Sequence, residues 1–156
     1  MSTGTELPDI AAVLGKVLRR VPREQQPLLI ALAERLAAER YRGWAAETGE
    51  PARRAGLLAC AGREEEIARR VEALYPAAAS IQRDVLAGNP DRIELNRTLF
   101  AGRPLAQQLL LQARGERLGA ATWRSFAHDE RNPEARSAFL DCALLEEESA
   151  AFLEGA

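Results

Sequence analysis

Four glutamates stand where the sequence otherwise places apolar side chains. Glu34, Glu64, Glu116 and Glu146 each fall among the apolar residues of a segment with helical periodicity, at about 100° per residue. Carboxylates that are buried together lose their hydration and repel one another. A cation, shared protons or buried arginines must therefore balance them. We predict carboxylate chemistry at a site that these four residues share.

Six more side chains are predicted to line this site, five of them because they share the same helical faces. They are Tyr41 and Trp123, seven residues after a glutamate; Cys60 and Cys142, one turn before one; and Ile67 and Ser149, three residues after one. We interpret the aromatics mainly as core residues. The cysteines are interpreted as small buried thiols, because free cysteine packs well inside proteins. A thiolate ligand beside the carboxylates is the alternative.

The sequence contains no other motif that indicates catalysis. It has no glycine-rich phosphate loop and no Cys-x-x-Cys pair, and its single histidine, His128, lies at the far end of a predicted helix. Nucleophilic hydrolysis is therefore not predicted. Carboxylate-based metal chemistry is the one enzymatic chemistry that these residues support.

The residue types predict that helices position these side chains. Ala, Leu, Arg and Glu dominate, and no segment alternates with the period of two that a strand requires. Leu36, Leu57 and Leu118 are predicted core residues. Prolines and glycines divide the chain into seven predicted helices, at 9–20, 28–47, 52–75, 78–87, 92–100, 105–128 and 134–153.

The two halves of the chain resemble each other at a constant offset of 82 residues. Ala-Glu-Arg-Leu-Ala-Ala at 33–38 recurs as Gly-Glu-Arg-Leu-Gly-Ala at 115–120. One register across a helix, a turn and a second helix predicts a duplicated helical hairpin. We expect a single domain over 1–156, with a flexible N-terminus at 1–7, repeat one at about 8–74, a crossover at about 76–89 and repeat two at about 90–156.

Two such hairpins bury their apolar faces most simply against each other. The predicted fold is all-α: a four-helix bundle with a pseudo-twofold axis, a long crossover and additional short helices. The segment at 76–103 is too long for a hairpin loop and can run the length of a bundle. A crossover therefore fits this segment better than an up-down-up-down path.

The sequence resembles the ferritin-like superfamily over nearly its whole length, and rubrerythrin-like helical hairpins in particular. The resemblance rests on the crossover, on glutamates followed seven residues later by an aromatic (Glu34 and Tyr41, Glu116 and Trp123), and on the run Arg-Glu-Glu-Glu-Ile-Ala-Arg-Arg at 63–70. It implies a ferritin-like four-helix bundle with a di-iron or di-manganese centre. The four glutamates would occupy the metal-ligand positions.

The family's two ligand histidines are missing from this chain. They belong three residues after the glutamates of the second and fourth long helices, where Ile67 and Ser149 stand. Isoleucine cannot bind a metal and serine is a poor ligand for iron, so only oxygen donors remain. We therefore expect a degenerate di-metal centre in a non-catalytic binding or structural module, with no cofactor or with a divalent Fe or Mn ion. The alternative is a carboxylate-bridged di-iron or di-manganese protein, for oxidoreductase chemistry or metal binding, that uses four glutamates without histidine.

Composition excludes several other classes of protein. Of 156 residues, 47% are hydrophobic and 28% are charged, and the net charge of −2 offers no electrostatic footprint for nucleic acid. No apolar run approaches the roughly 18 residues of a membrane span. The first residues are polar, so we expect no signal peptide, and two cysteines cannot build a disulfide framework. We expect a cytoplasmic protein with reduced thiols, and a homodimer.

Overall fold

Helices make up all the regular secondary structure in the part of the chain that the structure describes. The computed structural model describes residues 6–155. Its helices are α1 (Ile10–Leu18), α2 (Gln26–Glu47), α3 (Pro51–Glu72), α4 (Ala78–Gly88), α5 (Arg92–Phe100), α6 (Leu105–Asp129) and α7 (Pro133–Gly155), with a 3-10 turn at Arg23–Gln25. The prediction of an all-α protein is confirmed. None of these helices is long and apolar enough to cross a membrane.

Prolines account for most differences between the predicted and observed helix ends. The prediction starts three long helices just after a proline, whereas α2 contains Pro27 in its first turn and α3 and α7 begin at Pro51 and Pro133. Proline suits the first turn because that position needs no N–H donor and its fixed φ is helical. Of the predicted flexible N-terminus at 1–7, residues 1–5 lie outside the described part of the chain.

The long helices pair in sequence order, α2 with α3 and α6 with α7, and α3 also packs against α7. Within each hairpin, the arginine that lies later in the first helix pairs with the glutamate that lies earlier in the second, so the paired helices run antiparallel. The pairs are Arg35–Glu72 and Arg42–Glu65 in the first hairpin, and Arg117–Glu154 and Arg124–Glu147 in the second. Exposed ion pairs contribute at most about 1 kcal/mol each. These ion pairs therefore show the register of the paired helices but contribute little to the stability of the fold.

Two clusters of apolar side chains fill the space between the long helices. One contains Trp123 and the other contains Tyr41. In α2, residues between 28 and 31 belong to the first cluster and residues between 38 and 45 to the second, and Glu34 lies between these two sets. The other three long helices contribute to both clusters in the same way, with their glutamates in between. The packing therefore leaves one polar level between two apolar ones.

The prediction of a core position is wrong for two of the three leucines. Leu57 is buried at 2% exposure, but Leu36 and Leu118 are only half-buried and line a cavity beside α1 and α5. These two short helices contribute no buried residue. A leucine that faces a cavity has the same helical phase as a leucine in a packed core, so periodicity cannot separate the two.

Leu57→Asp is expected to lower the free energy of unfolding by more than about 3 kcal/mol, because it places an unpaired charge in the core. Leu58→Asp is the matched control, since Leu58 is 48% exposed and is expected to change the stability by less than about 0.5 kcal/mol. Urea unfolding followed by circular dichroism measures both. Equal unfolding midpoints for the two variants would contradict the helical phase of α3.

Candidate carboxylate site

The four glutamates singled out by the sequence lie inside the protein, one on each long helix. Glu34 of α2 is 7% exposed, Glu64 of α3 is 0% exposed, Glu116 of α6 is 1% exposed and Glu146 of α7 is 2% exposed. They occupy the polar level between the two apolar clusters. The structure therefore brings all four carboxylates into one buried site.

Three of the carboxylates form a compact group. Glu34, Glu64 and Glu146 each offer one oxygen, and these oxygens lie within 4.8 Å of one another. The fourth, Glu116, is fixed by two donors: the Tyr41 hydroxyl and Gln112 Nε2, which donates to Glu116 Oε1 at 2.8 Å.

Only part of this group is satisfied by hydrogen bonds. Trp123 Nε1 donates to Glu146 Oε1 at 2.9 Å. In contrast, both oxygens of Glu64 and Oε2 of Glu116 are buried and have no donor among the described residues. A neighbouring carboxyl can serve as a donor only if it carries a proton. The described residues therefore supply too few donors for the carboxylate oxygens of the site. The shortage is greatest at Glu64, where both oxygens lack a donor.

Burial and mutual repulsion change the acidity of these groups. Burial, followed by the charges of Glu34 and Glu116, raises the pKa of Glu64 and of Glu146 well above the usual range. Burial also raises the pKa of Glu34, although its contacts with the neighbouring carboxyls oppose the shift. Without a cation, the site is expected to hold protons at neutral pH.

The two aromatics predicted to line the site are donors as well as core residues. Tyr41 lies on α2 and donates across to Glu116 of α6, whereas Trp123 of α6 donates to Glu146 of α7. Burial and the Glu116 carboxylate raise the pKa of Tyr41, so its hydroxyl keeps its proton. Trp123 also stacks on Phe139 with ring centroids 5.7 Å apart. These bonds fix the orientation of two of the four carboxyls.

Neither of the positions that would hold a ligand histidine offers a nitrogen donor. Ile67 is fully buried in an apolar cluster. Ser149 is also fully buried, and its hydroxyl accepts a hydrogen bond from Arg63 Nε at 2.9 Å. Arg63 therefore brings a guanidinium group to the place where a second metal would need a ligand. These two positions therefore supply no nitrogen ligand for a second metal.

The two cysteines are free, buried thiols. Burial raises the pKa of Cys142 to about 12 and also raises the pKa of Cys60. Cys60 Sγ accepts from Arg63 Nη2 at 3.2 Å, but neither sulfur belongs to the compact group of possible metal ligands. Both residues therefore contribute as protonated, apolar packing groups.

Arg40 and Gln112 also belong to the carboxylate site, although the sequence pattern did not indicate them. Arg40 donates to Gln112 Oε1 at 2.9 and 3.1 Å, and Gln112 in turn donates to Glu116. Arg40 also donates to Asn96 at 2.6 Å and lies over the Phe100 ring, which ties α5 to the site. Gln112 could have been found by its spacing, since it interrupts an apolar run one turn before Glu116. Arg40 gave no such signal.

Gly119 makes room for one of the carboxyls. A Cβ atom at this position would lie 2.6 Å from Glu146 Oε1 and 2.7 Å from its Cδ atom. Glycine inside a helix costs about 1 kcal/mol relative to alanine, so its use here has a packing reason. The corresponding residue in the first half of the sequence is Ala37. Among the described glycines, Gly119 is the one at which an added Cβ would meet a carboxyl group.

Comparison with known proteins assigns no family. No protein-family model matches the chain, and searches of curated proteins and of solved structures find no significant match. Function is therefore inferred from the geometry of the carboxylate site alone.

Replacing Glu64 and Glu146 together with glutamine is expected to stabilise the metal-free protein at pH 8 and to flatten its pH dependence. A raised pKa means that the folded state keeps protons that the unfolded chain releases above about pH 4.3. The stability of the native chain should therefore fall as pH rises from there toward the raised pKa values. Urea unfolding in chelator from pH 5 to pH 8 measures this slope.

The control is Glu65→Gln with Glu147→Gln, which changes the neighbouring residues that form surface ion pairs with Arg42 and Arg124. This control should lose at most about 1 kcal/mol per pair and should keep the native pH slope. If the Glu64 and Glu146 variant also keeps the native slope, those carboxyls hold no shifted protons.

Proposed function

We propose that this protein is a ferritin-like binding module whose all-carboxylate site holds one hard divalent cation, such as Mn²⁺, and performs no oxidase chemistry. The observation that carries the proposal is the group of three buried carboxylates with oxygens within 4.8 Å, among which both Glu64 oxygens lack a donor. A cation would satisfy those oxygens and relieve the repulsion.

Cytoplasmic location and a homodimer remain predictions from the sequence.

The ferritin-like fold is part of the same proposal. The equivalent ion pairs of the two hairpins support a duplicated unit, since their residues differ by the same offset of 82 that relates the two halves of the sequence. The segment with α4 and α5 that links the hairpins supports a long crossover. One glutamate on each long helix, at one level, supports a site built in the centre of a four-helix bundle.

The donor set favours a hard cation. All the available ligand atoms are carboxylate oxygens, which suit Mn²⁺, Mg²⁺ and Ca²⁺ better than softer metals. Two oxygens bound on opposite sides of one Ca²⁺ ion are about 4.6–5.2 Å apart, twice the usual metal–oxygen distance. The oxygens of Glu34, Glu64 and Glu146 all lie within 4.8 Å of one another, so they are close enough to reach one cation together.

The alternative is a di-iron or di-manganese oxidoreductase that uses four glutamates without histidine. It is less well supported, because Ile67 and Ser149 provide no nitrogen ligand and Arg63 brings positive charge to the Ser149 side. The number of ions bound separates the two possibilities. One ion per chain fits the proposal, and two ions per chain fit the alternative.

Titration of chelator-stripped protein with Mn²⁺, followed by the EPR signal of the free ion, is expected to give about one bound ion per chain. Glu34→Gln and Glu64→Gln should each weaken binding at least about 100-fold, because each removes a charged ligand. Glu65→Gln is the control and should bind like the native protein, since Glu65 is exposed. Failure of the native chain to bind Mn²⁺, or equal losses in all three variants, would exclude the proposed site.

Gly119→Ala tests the shape of the site without changing a charge. The new Cβ must displace the Glu146 carboxyl, so the affinity for Mn²⁺ should fall by at least about 10-fold. Stability should change little, because the gain in helix propensity offsets part of the strain. Gly43→Ala is the control: a Cβ there meets nothing within 4 Å, so that variant should keep native affinity and gain up to about 1 kcal/mol.

A further inference from the structure

A cavity of about 180 Å³ lies between α1, α2, α5 and α6. Apolar side chains from all four helices line it, including Val13 and Val17 of α1 and Leu95 and Leu99 of α5. Neither α1 nor α5 contributes a fully buried residue. The apolar faces of these two helices therefore surround a space instead of a packed core.

Leu36 and Leu118 form part of the same wall, which explains why they are half-buried although their helical phase is that of core residues. Apolar side chains that line such a space forfeit dispersion contacts there. A cavity of about 150 Å³ lined by similar residues binds a molecule of the size of benzene. The space beside α1 and α5 is thus large enough for a small apolar ligand.

One arginine in the wall of this cavity has two nitrogen atoms without a partner among the described residues. Arg92, the first residue of α5, lines the cavity, and its Nε and Nη1 atoms are buried without any hydrogen-bond acceptor among the described residues. The nearest acidic residue in sequence, Asp91, is already paired with Arg20 at 3.0 Å. The Arg92 side chain is only partly buried, but Nε and Nη1 are cut off from water, and such donors are costly unless an anion or another acceptor binds them.

Several other polar groups in the wall have partners. Arg40 donates hydrogen bonds to Asn96 and to Gln112. Thr122 donates to the carbonyl oxygen of Leu118 at 2.8 Å. At the inner wall, Glu34, Glu116 and Glu146 would repel an anion. Arg92 is therefore the one positively charged group in the wall whose buried nitrogens lack an acceptor among the described residues.

We propose that this cavity binds an aliphatic monocarboxylate, with the carboxylate paired to Arg92 and the hydrocarbon chain against the leucines and valines of α1, α2, α5 and α6. A chain of about six to ten carbons matches the volume. The positive charge selects the acid over the alcohol of the same length. This ligand site does not require a cation in the carboxylate group, so it can be tested independently of the proposed function.

The test is calorimetric titration of the full chain, in chelator, with octanoate and with 1-octanol. Native protein is expected to bind octanoate at least about 10-fold more tightly than 1-octanol, because a charged hydrogen bond is present only with the acid. Arg92→Met should remove this preference and leave binding of 1-octanol unchanged. Arg97→Met is the control: Arg97 lies on the same helix, has an exposed side chain and pairs with Glu94, so the native preference should remain.

A second variant keeps the arginine and fills the space. Leu118→Trp should weaken binding of both octanoate and 1-octanol at least about 10-fold, since its larger side chain occupies the cavity. Circular dichroism establishes that each variant is folded. No binding of octanoate by the native protein, or an undiminished preference for octanoate in Arg92→Met, would overturn the proposal. If Arg92→Met binds Mn²⁺ with native affinity, a failure of the octanoate proposal leaves the proposed cation site unaffected.

Discussion

The burial of four carboxylates at one level, between two apolar clusters, is the constraint on which the rest of the structure depends. Each long helix places a glutamate there, and the protein supplies donors for only some of the oxygens. Glu116 receives two donors and Glu146 receives one, but Glu64 receives none. Because an unpaired buried charge is costly, a cation or retained protons must complete the site. The proposed cation binding follows from that shortage.

The centre of the protein is less symmetric than its surface. On the surface, matching ion pairs join the two helices within each hairpin. Inside the protein, Tyr41 donates to a glutamate of the other hairpin, whereas Trp123 donates to a glutamate of its own hairpin. Ser149 meets Arg63, while the corresponding Ile67 packs in the apolar core. A symmetric pair of metals would need equivalent ligands on both sides. The asymmetry therefore favours one cation beside an arginine.

Much of this arrangement could be predicted from the sequence, because helical periodicity determines which residues face inward. The four glutamates occupy inward-facing positions that otherwise hold apolar residues, so the periodicity predicts that they are buried. Arg40 and Arg63 could not be placed in the same way, since a long side chain can reach a site from the edge of a helix. The cavity beside Leu36 and Leu118 was also missed, because it depends on how closely α1 and α5 approach the long helices.

The most direct test of the account is the number of protons released when Mn²⁺ binds. The pKa values of Glu34, Glu64 and Glu146 are raised, so a cation must displace protons that the empty site would hold at pH 7. Calorimetric titration of the chelator-stripped protein in two buffers of different ionisation enthalpy measures that number. The account predicts release of at least about one proton per bound ion. Binding of Mn²⁺ without any proton release would contradict it.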